Sequence, residues 1–576
     1  MKKTAPLSKT QYGVYVECVQ HLGEIYYNLP FLYVLDGSMD EAKLKAAIEQ
    51  AVAAHPTLFT RIALNAQGEP VQTIDDSETF TLEVEHITDI EAEKKGLIAP
   101  FDIYNDRLFR IRLMKDSQHF YLFIDTHHTI SDGASLKVLL SDIDAAYGGK
   151  SLEPETVTLA DVACEEVEKR QTAAFEEAKQ WYAQTFDCSD TFTQLIPDLE
   201  EPSAEIGVVT RKLGASVATV EAFREQYGIF KNTLFSAVYG FLLAKYNNEK
   251  EALFCTAYKG RQDKRLARTV GMFVKTLPVW MKFTDDTTTL DFLKAGQEQI
   301  SGCREHDTYT FTDVMTDLNL QMGSIFSWQA SIIDDVEIAG KTAQTSLLNH
   351  ATLNIPLYVQ VAVRGGHFYL QAEYNTGVYS EMLVSQFLES YETVLEAFLL
   401  GGTLRDINIT TDAQLQILDS FNQTDAPYDD TQTIVSLFRQ QVKATPDNIA
   451  VVFKDKKYTY QEVDELSDRI AAYVCEKVNG ESEEPVVSVL IPRCEWMAIA
   501  SLGVLKAGCG YQPLDPSYPQ ERLNFMMQDA DAKLLIADEA LRPLVNEYQG
   551  EVLLTKDIEK LPAFTEEEVS QLSTLN

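Results

Sequence analysis

Basic residues are scarce in this chain. Its 576 residues hold 49 Lys and Arg against 87 Asp and Glu, a net charge of −38. Such a field repels phosphate backbones and anionic lipid, so it argues against nucleic-acid and membrane-surface partners. Long apolar runs are missing too. No window approaches the roughly 20 residues of a membrane helix. Met1-Lys2-Lys3-Thr4 opens a polar segment rather than an apolar leader. The eight cysteines, Cys188 among them, are dispersed and form no Cys-x-x-Cys pair. Zinc ribbons and dithiol motifs are thereby disfavoured, and no metal is expected. Free thiols without a leader suggest the cytoplasm. What remains, 45% hydrophobic and 24% charged, is the composition of a soluble globular protein, long enough for three or four folded units.

Four regions can be read. Residues 1–175 mix helices and strands: Leu44, Ala47, Ile48, Ala51 and Val52 recur at helical spacing, and Leu122 to Ile124 reads as a buried strand. A second mixed region covers 176–408. It holds a helix at 233–246 with Thr233 as N-cap, a strand at 252–258, a strand at 367–375 and a long helix at 380–399. Residues 409–432 read as a polar linker without periodicity. From 433 to 576, short apolar strands at 449–453, 486–491, 533–537 and 551–554 alternate with helices. That is the pattern of a parallel βαβ sheet.

The stretch FYLFIDTHHTISDG, residues 120–133, is the densest in chemistry. An oily strand ends on His127 and His128. Side chains alternate along a strand, so if the strand continues through the pair the two rings face opposite ways and do not share one metal. One packs inward; the other faces a cleft at the strand end. Each is equally readable as a satisfied core histidine. Asp132 precedes a helix with Leu136, Leu139, Leu140 and Ile143 on one face, so capping alone explains it. Gly133 suits a tight turn or a close ligand approach.

HHTISDG matches HHxxxDG, the signature of the superfamily that contains chloramphenicol acetyltransferase and the condensation domains of nonribosomal peptide synthetases. The chain resembles the condensation domains over most of 5–408. SKTQYGVY (8–15) is similar to their opening SxAQxRLW, GRQDKRLARTVGMFVKTLP (260–278) to a later GR…VGMFVNTLP segment, and HDTYTF (306–311) to HQDYPF. YTYQEV (458–463) and LKAGCGYQPLDPSYPQERL (505–523) resemble adenylation-domain motifs.

The resemblance implies two chloramphenicol-acetyltransferase-like lobes in a V-shaped pseudo-dimer, then a partial βαβ adenylation subdomain of acyl-CoA synthetase type. It implies an acyltransferase that joins a carrier-bound amine to a carrier-bound acyl or peptidyl thioester in a tunnel between the lobes. The expected partners are donor and acceptor peptidyl carrier proteins, each supplying a phosphopantetheine arm; no cofactor is bound directly. His128 matches the catalytic histidine and His127 the more structural one. Asp132 matches a loop-holding aspartate whose partner is Arg261, and Gly133 borders the thioester.

The departures are Gly13 and Tyr15 in the opening motif, Ala54, Pro56 and Phe59 where RHExLRTRF is usual, and Lys275 in place of an asparagine. They leave open an alternative: a catalytically degenerate scaffold that recruits partners. A soluble acceptor used with coenzyme A is a further reading. The motif at Ser8 gives the expectation of an initiating, N-acylating domain. The adenylation part, lacking its phosphate loop, is expected to be inactive in a monomeric fragment of a larger synthetase.

Overall fold

An unbroken apolar run, Phe120 to Ile124, makes His119–His127 a strand buried on both faces. Phe120, Leu122 and Ile124 point to a core shared with two helices; Tyr121 and Phe123 point to a smaller cluster with Leu32 and Met114. The computed structural model describes residues 2–75, 77–187, 193–201, 205–320, 323–330, 336–346, 348, 355–478, 485–564 and 568; Cys188 lies outside them. The chain forms two units, Met1–Asn422 and Gln423–Asn576.

The first unit contains two α/β lobes. In the first lobe, Asn28–Asp36, His119–His127 and Phe109–Lys115 pair antiparallel, and Val84–His86 adds in parallel. Helices Glu41–Ala53 and Gly133–Tyr147 cover one face. Asp40 caps the former, accepting from the Lys43 amide at 2.9 Å. Its expected stripe, Leu44 to Val52, is buried. A leucine or isoleucine so placed contributes about 1.5–3 kcal/mol.

The second lobe is a six-stranded mixed sheet ordered Lys275–Lys282, Glu251–Tyr258, Ile325–Ala330, Leu357–Arg364, His367–Asn375, Ile206–Ser216. Helices Lys231–Tyr246 and Glu381–Leu400 fill its core. The lobes exchange chain. The hairpin Val336–Ile338 and Lys341–Ser346, late in sequence, extends the first lobe's sheet, with Gln344 opposite Val34.

Three expectations need correction. The helix at 233 begins earlier, at Lys231. Phe230 occupies the cap position, its amide donating to Gln297 Oε1 at 2.7 Å, while Thr233 is buried in the first turn. The linker contains the helix Asp412–Phe421, set by a capping box between Thr411 and Gln414. Ile449–Phe453 stays out of the parallel sheet and forms a hairpin with Lys456–Thr459.

In the second unit, Gly510–Pro513, Val486–Leu490, Leu534–Ala537 and Glu551–Leu554 make the four-stranded parallel sheet. Its strand Gly510–Pro513 lies inside the adenylation-like motif. Lys506, from the same motif, is fully buried and donates to Asp464 and Asp468 carboxylates at 2.6 and 2.7 Å. No helix among the described residues is long and apolar enough to cross a membrane.

Candidate active site

The histidine strand ends at His127, where the chain turns and the Ile130 amide donates to the His127 carbonyl at 3.0 Å. His127 is buried. The Thr129 amide donates to its Nδ1 at 3.2 Å, so that nitrogen is an acceptor, also reached by Thr129 Oγ1 at 2.7 Å. The ring proton therefore sits on Nε2, facing Cys18 Sγ at 3.4 Å. Burial, then the neighbouring His128 and Arg110, push the ring down to about 3. His127 is a neutral, fully engaged ring.

His128 differs. Its amide donates to the Tyr27 carbonyl at 2.8 Å and its ring stands edge-on to Tyr27 at 6.4 Å. The residue keeps partial solvent access. Its Nδ1 is buried and meets no partner at ordinary hydrogen-bond geometry. Burial lowers its pKa, while the Asp132 charge and backbone groups of His128 and Ser131 pull upward. At neutral pH this ring is unprotonated, the form that can accept a proton.

Asp132 is buried and heads the helix that starts at Gly133. Its Oδ1 accepts from the Ser135 amide at 2.8 Å and from Arg261 Nη2 at 2.9 Å; its Oδ2 accepts from the Phe273 amide at 3.1 Å. Capping and inter-lobe bonding are thus done by one carboxylate. Arg261 follows the second-lobe strand Glu251–Tyr258. Its Nη1 donates to the Leu266 and Thr269 carbonyls at 2.9 and 2.6 Å, and its guanidinium lies 4.5 Å over the Phe273 ring. Gly260, just before it, has φ +63, and a Cβ there would meet the Phe273 carbonyl oxygen at 1.8 Å. Gly260→Ala is therefore expected to displace the Arg261 loop and to lower stability by at least about 2 kcal/mol. Urea titration with hydrogen exchange on 261–273 measures it.

A second tie escaped sequence reading. His55 is buried between Asp142 Oδ2, 3.0 Å from Nε2, and Glu155 Oε2, 3.2 Å from Nδ1. Arg268 Nη2 also donates to Asp142 at 2.8 Å, and the Val270 amide to Glu155 at 3.0 Å. The 261–273 loop is thus pinned to the first lobe at three carboxylates. These residues come from four distant segments, so no short motif could signal them.

The departures find plain roles. Phe59 is buried edge-on to Phe109 at 5.8 Å, and Pro56 opens a short 3-10 turn. Ala54 is buried at a helix end. A Cβ on Gly13 would meet Thr312 Oγ1 at 3.6 Å, an ordinary contact. Tyr15 Oη lies 2.6 Å from Tyr104 Oη. Lys275 donates to the Asp307 carbonyl and carboxylate, both at 2.9 Å. A small cleft, partly open to solvent, is lined by His127, Cys18, Tyr27 and Phe101. Among the described residues no group of three or more His, Cys, Asp or Glu could hold a metal ion.

Two α/β lobes tied at an HHxxxDG loop are the arrangement that the resemblance to the chloramphenicol acetyltransferase-like superfamily implied. Comparison narrows this. The condensation-domain family model matches residues 1–419 and the AMP-binding enzyme model matches 438–574. The chain belongs to the condensation-domain family and carries an AMP-binding stretch after it. It is 29% identical over 571 residues to tyrocidine synthase 3 of Brevibacillus parabrevis, covering 95% of this chain but only 9% of that relative. Its fold is similar to holo-AB3403, a four-domain nonribosomal peptide synthetase bound to AMP and glycine. That match has a TM-score of 0.79 and 19% identity, and covers 99% of this chain and 46% of the other. It is also similar to the first condensation domain of the calcium-dependent antibiotic synthetase in complex with a substrate analogue. Here the TM-score is 0.61 and the identity 16%, over 71% of this chain and 99% of the other.

Proposed function

We propose that the first unit condenses two carrier-bound substrates into an amide, as part of a nonribosomal peptide synthetase. The observation that carries the reading is the neutral, partly accessible His128 ring, on a loop locked by Asp132 and Arg261. The acceptor's α-amine attacks the donor's thioester carbonyl. A C–N bond forms, the C–S bond breaks, and the donor's phosphopantetheine leaves as thiol. His128 takes the amine proton as the tetrahedral species forms or collapses, and returns a proton to the departing sulfur.

Magnitudes rank the contributions. An α-amine has a pKa of about 8, so freeing it at pH 7 costs only about 1.4 kcal/mol. Holding two reactants in attack geometry is worth roughly 7–11 kcal/mol. A general base adds about 10² to 10⁴ in rate. Positioning therefore dominates, and His128 orients the amine as well as receiving its proton. Arg261 and Asp132 act through the loop, and His127 packs behind it.

Donor and acceptor carrier proteins are the proposed partners, and a soluble coenzyme A thioester a poor donor. The degenerate-scaffold alternative is not favoured, because the His128, Asp132 and Arg261 arrangement is intact. The test is incubation with a donor-loaded and an acceptor-loaded carrier, with product mass read on the acceptor arm. A mass increase equal to the donor acyl group supports the reading. Unchanged acceptor, with the donor still loaded, counts against it.

A further inference from the structure

Asp125 stands two residues before His127 on the same strand face and is completely buried. Its Oδ2 accepts from Asn28 Nδ2 at 2.8 Å and from Arg110 Nη1 at 3.4 Å. Its Oδ1 is buried with no partner. A buried carboxylate so incompletely bonded is destabilising, and groups of that kind concentrate at functional sites.

Both of its partners lead to the histidine pair. Arg110 donates to the Ala99 and Pro100 carbonyls at 2.5 and 2.6 Å and lies 3.7 Å over the Phe101 ring. Phe101 in turn stands edge-on to His127 at 5.8 Å. Asn28 also donates to the Ala99 carbonyl at 2.9 Å. It directly follows Tyr27, which receives the His128 amide and packs on the His128 ring. Tyr27 and Phe101 both line the cleft beside His127.

We propose that Asp125 is a positioning residue for the condensation reaction: its ionised carboxylate, through Arg110 and Asn28, fixes the Phe101 and Tyr27 walls around the histidine pair. This rests on the proposed function. Burial raises the Asp125 carboxyl to about 6, with Asn28, Arg110 and the Leu29 backbone pulling it back down. The charged and titratable groups around it are Arg110 and, behind that, Asp106. His127 lies on its own strand, Cys18 beyond His127, and Tyr27 next to Asn28. Below pH 6 the carboxyl is neutral and its hold on Arg110 weakens, so the positioning is lost as the pH falls.

The experiment compares wild type with Asp125→Asn, which keeps the shape and removes the charge. Turnover is measured with loaded carriers from pH 5 to 8. Dividing the two kcat values cancels the acceptor amine's own titration. The expected kcat ratio is about tenfold at pH 7.5 and close to one at pH 5, with KM for both carriers within twofold. Hydrogen exchange of segment 99–103, corrected for intrinsic rate, is expected to be several-fold faster in the variant at pH 7.5 and equal at pH 5. The variant should melt no lower than wild type, since a buried charge is gone. A kcat ratio near one at pH 7.5, unchanged exchange of 99–103, or a lower melting temperature overturns the proposal. If wild type makes no amide at any pH, the functional reading falls. The exchange comparison then still decides whether the Asp125 charge holds the wall.

Discussion

Replacing His128 with alanine should slow amide formation by about 10²- to 10⁴-fold, with KM for each loaded carrier nearly unchanged. The ring is neutral and partly accessible, and its Nδ1 makes no hydrogen bond of ordinary geometry. Its removal thus strands no partner and leaves the fold almost untouched. The loss is confined to the proton taken from the amine and to the orientation of that amine. His127→Ala gives the opposite pattern. It breaks the contacts to Thr129 and Cys18 and opens a buried space, so stability drops by about 1–3 kcal/mol while the residual rate per folded molecule stays higher. Calorimetry beside single-turnover rates separates the two.

His127 also has a pH signature. Its folded-state pKa, about 3, lies below the ordinary value of 6.5. Between these values the unfolded chain binds the extra proton, so this residue makes the fold less stable as the pH falls from about 6.5 toward 3. Asp125, raised to about 6, works in the other direction: its stability contribution is present at low pH and is lost as the pH rises through 6.

Arg261→Met is the second large effect. Asp132 is sealed from solvent, and the methionine leaves its Oδ1 without the guanidinium at 2.9 Å. It also removes both donors to the Leu266 and Thr269 carbonyls. Removing one partner of a buried pair costs about 3–5 kcal/mol. Arg261→Lys keeps the charge but not the planar fork, and one ammonium cannot serve carbonyls and carboxylate together. It should recover less than half of the loss. The double variant Asp132→Asn/Arg261→Met should be more stable than Arg261→Met alone, because no charge is stranded. Hydrogen exchange across 261–273 reads the effect locally, where a chain of two units need not unfold in one step.

The histidine strand, its buried centre and the following helix were legible because their signals are local. A continuous apolar run gives the strand, and a stripe that starts at Leu136, four residues after the capping Asp132, gives the helix. Arg261 was legible only through resemblance, since nothing in residues 125–135 announces a partner 129 positions away. His55 with Asp142, Glu155 and Arg268 was not legible, nor was the 336–346 hairpin joining the first sheet. Both depend on contacts that form only when distant segments meet. The helix Asp412–Phe421 is a different miss: Thr411 and Gln414 spelled a capping box, but its apolar side chains Leu415, Leu418 and Phe421 stay exposed. Asp125 shows a third limit, since a carboxylate inside an oily strand announces burial but not the missing bond at Oδ1.

The most direct measurement is a rapid-quench single turnover with donor-loaded and acceptor-loaded carrier proteins, comparing wild type with His128→Ala at equal folded concentration. The account predicts acyl transfer onto the acceptor amine in wild type and a chemical step at least about 100-fold slower in the variant. Equal rates in the two proteins would contradict it.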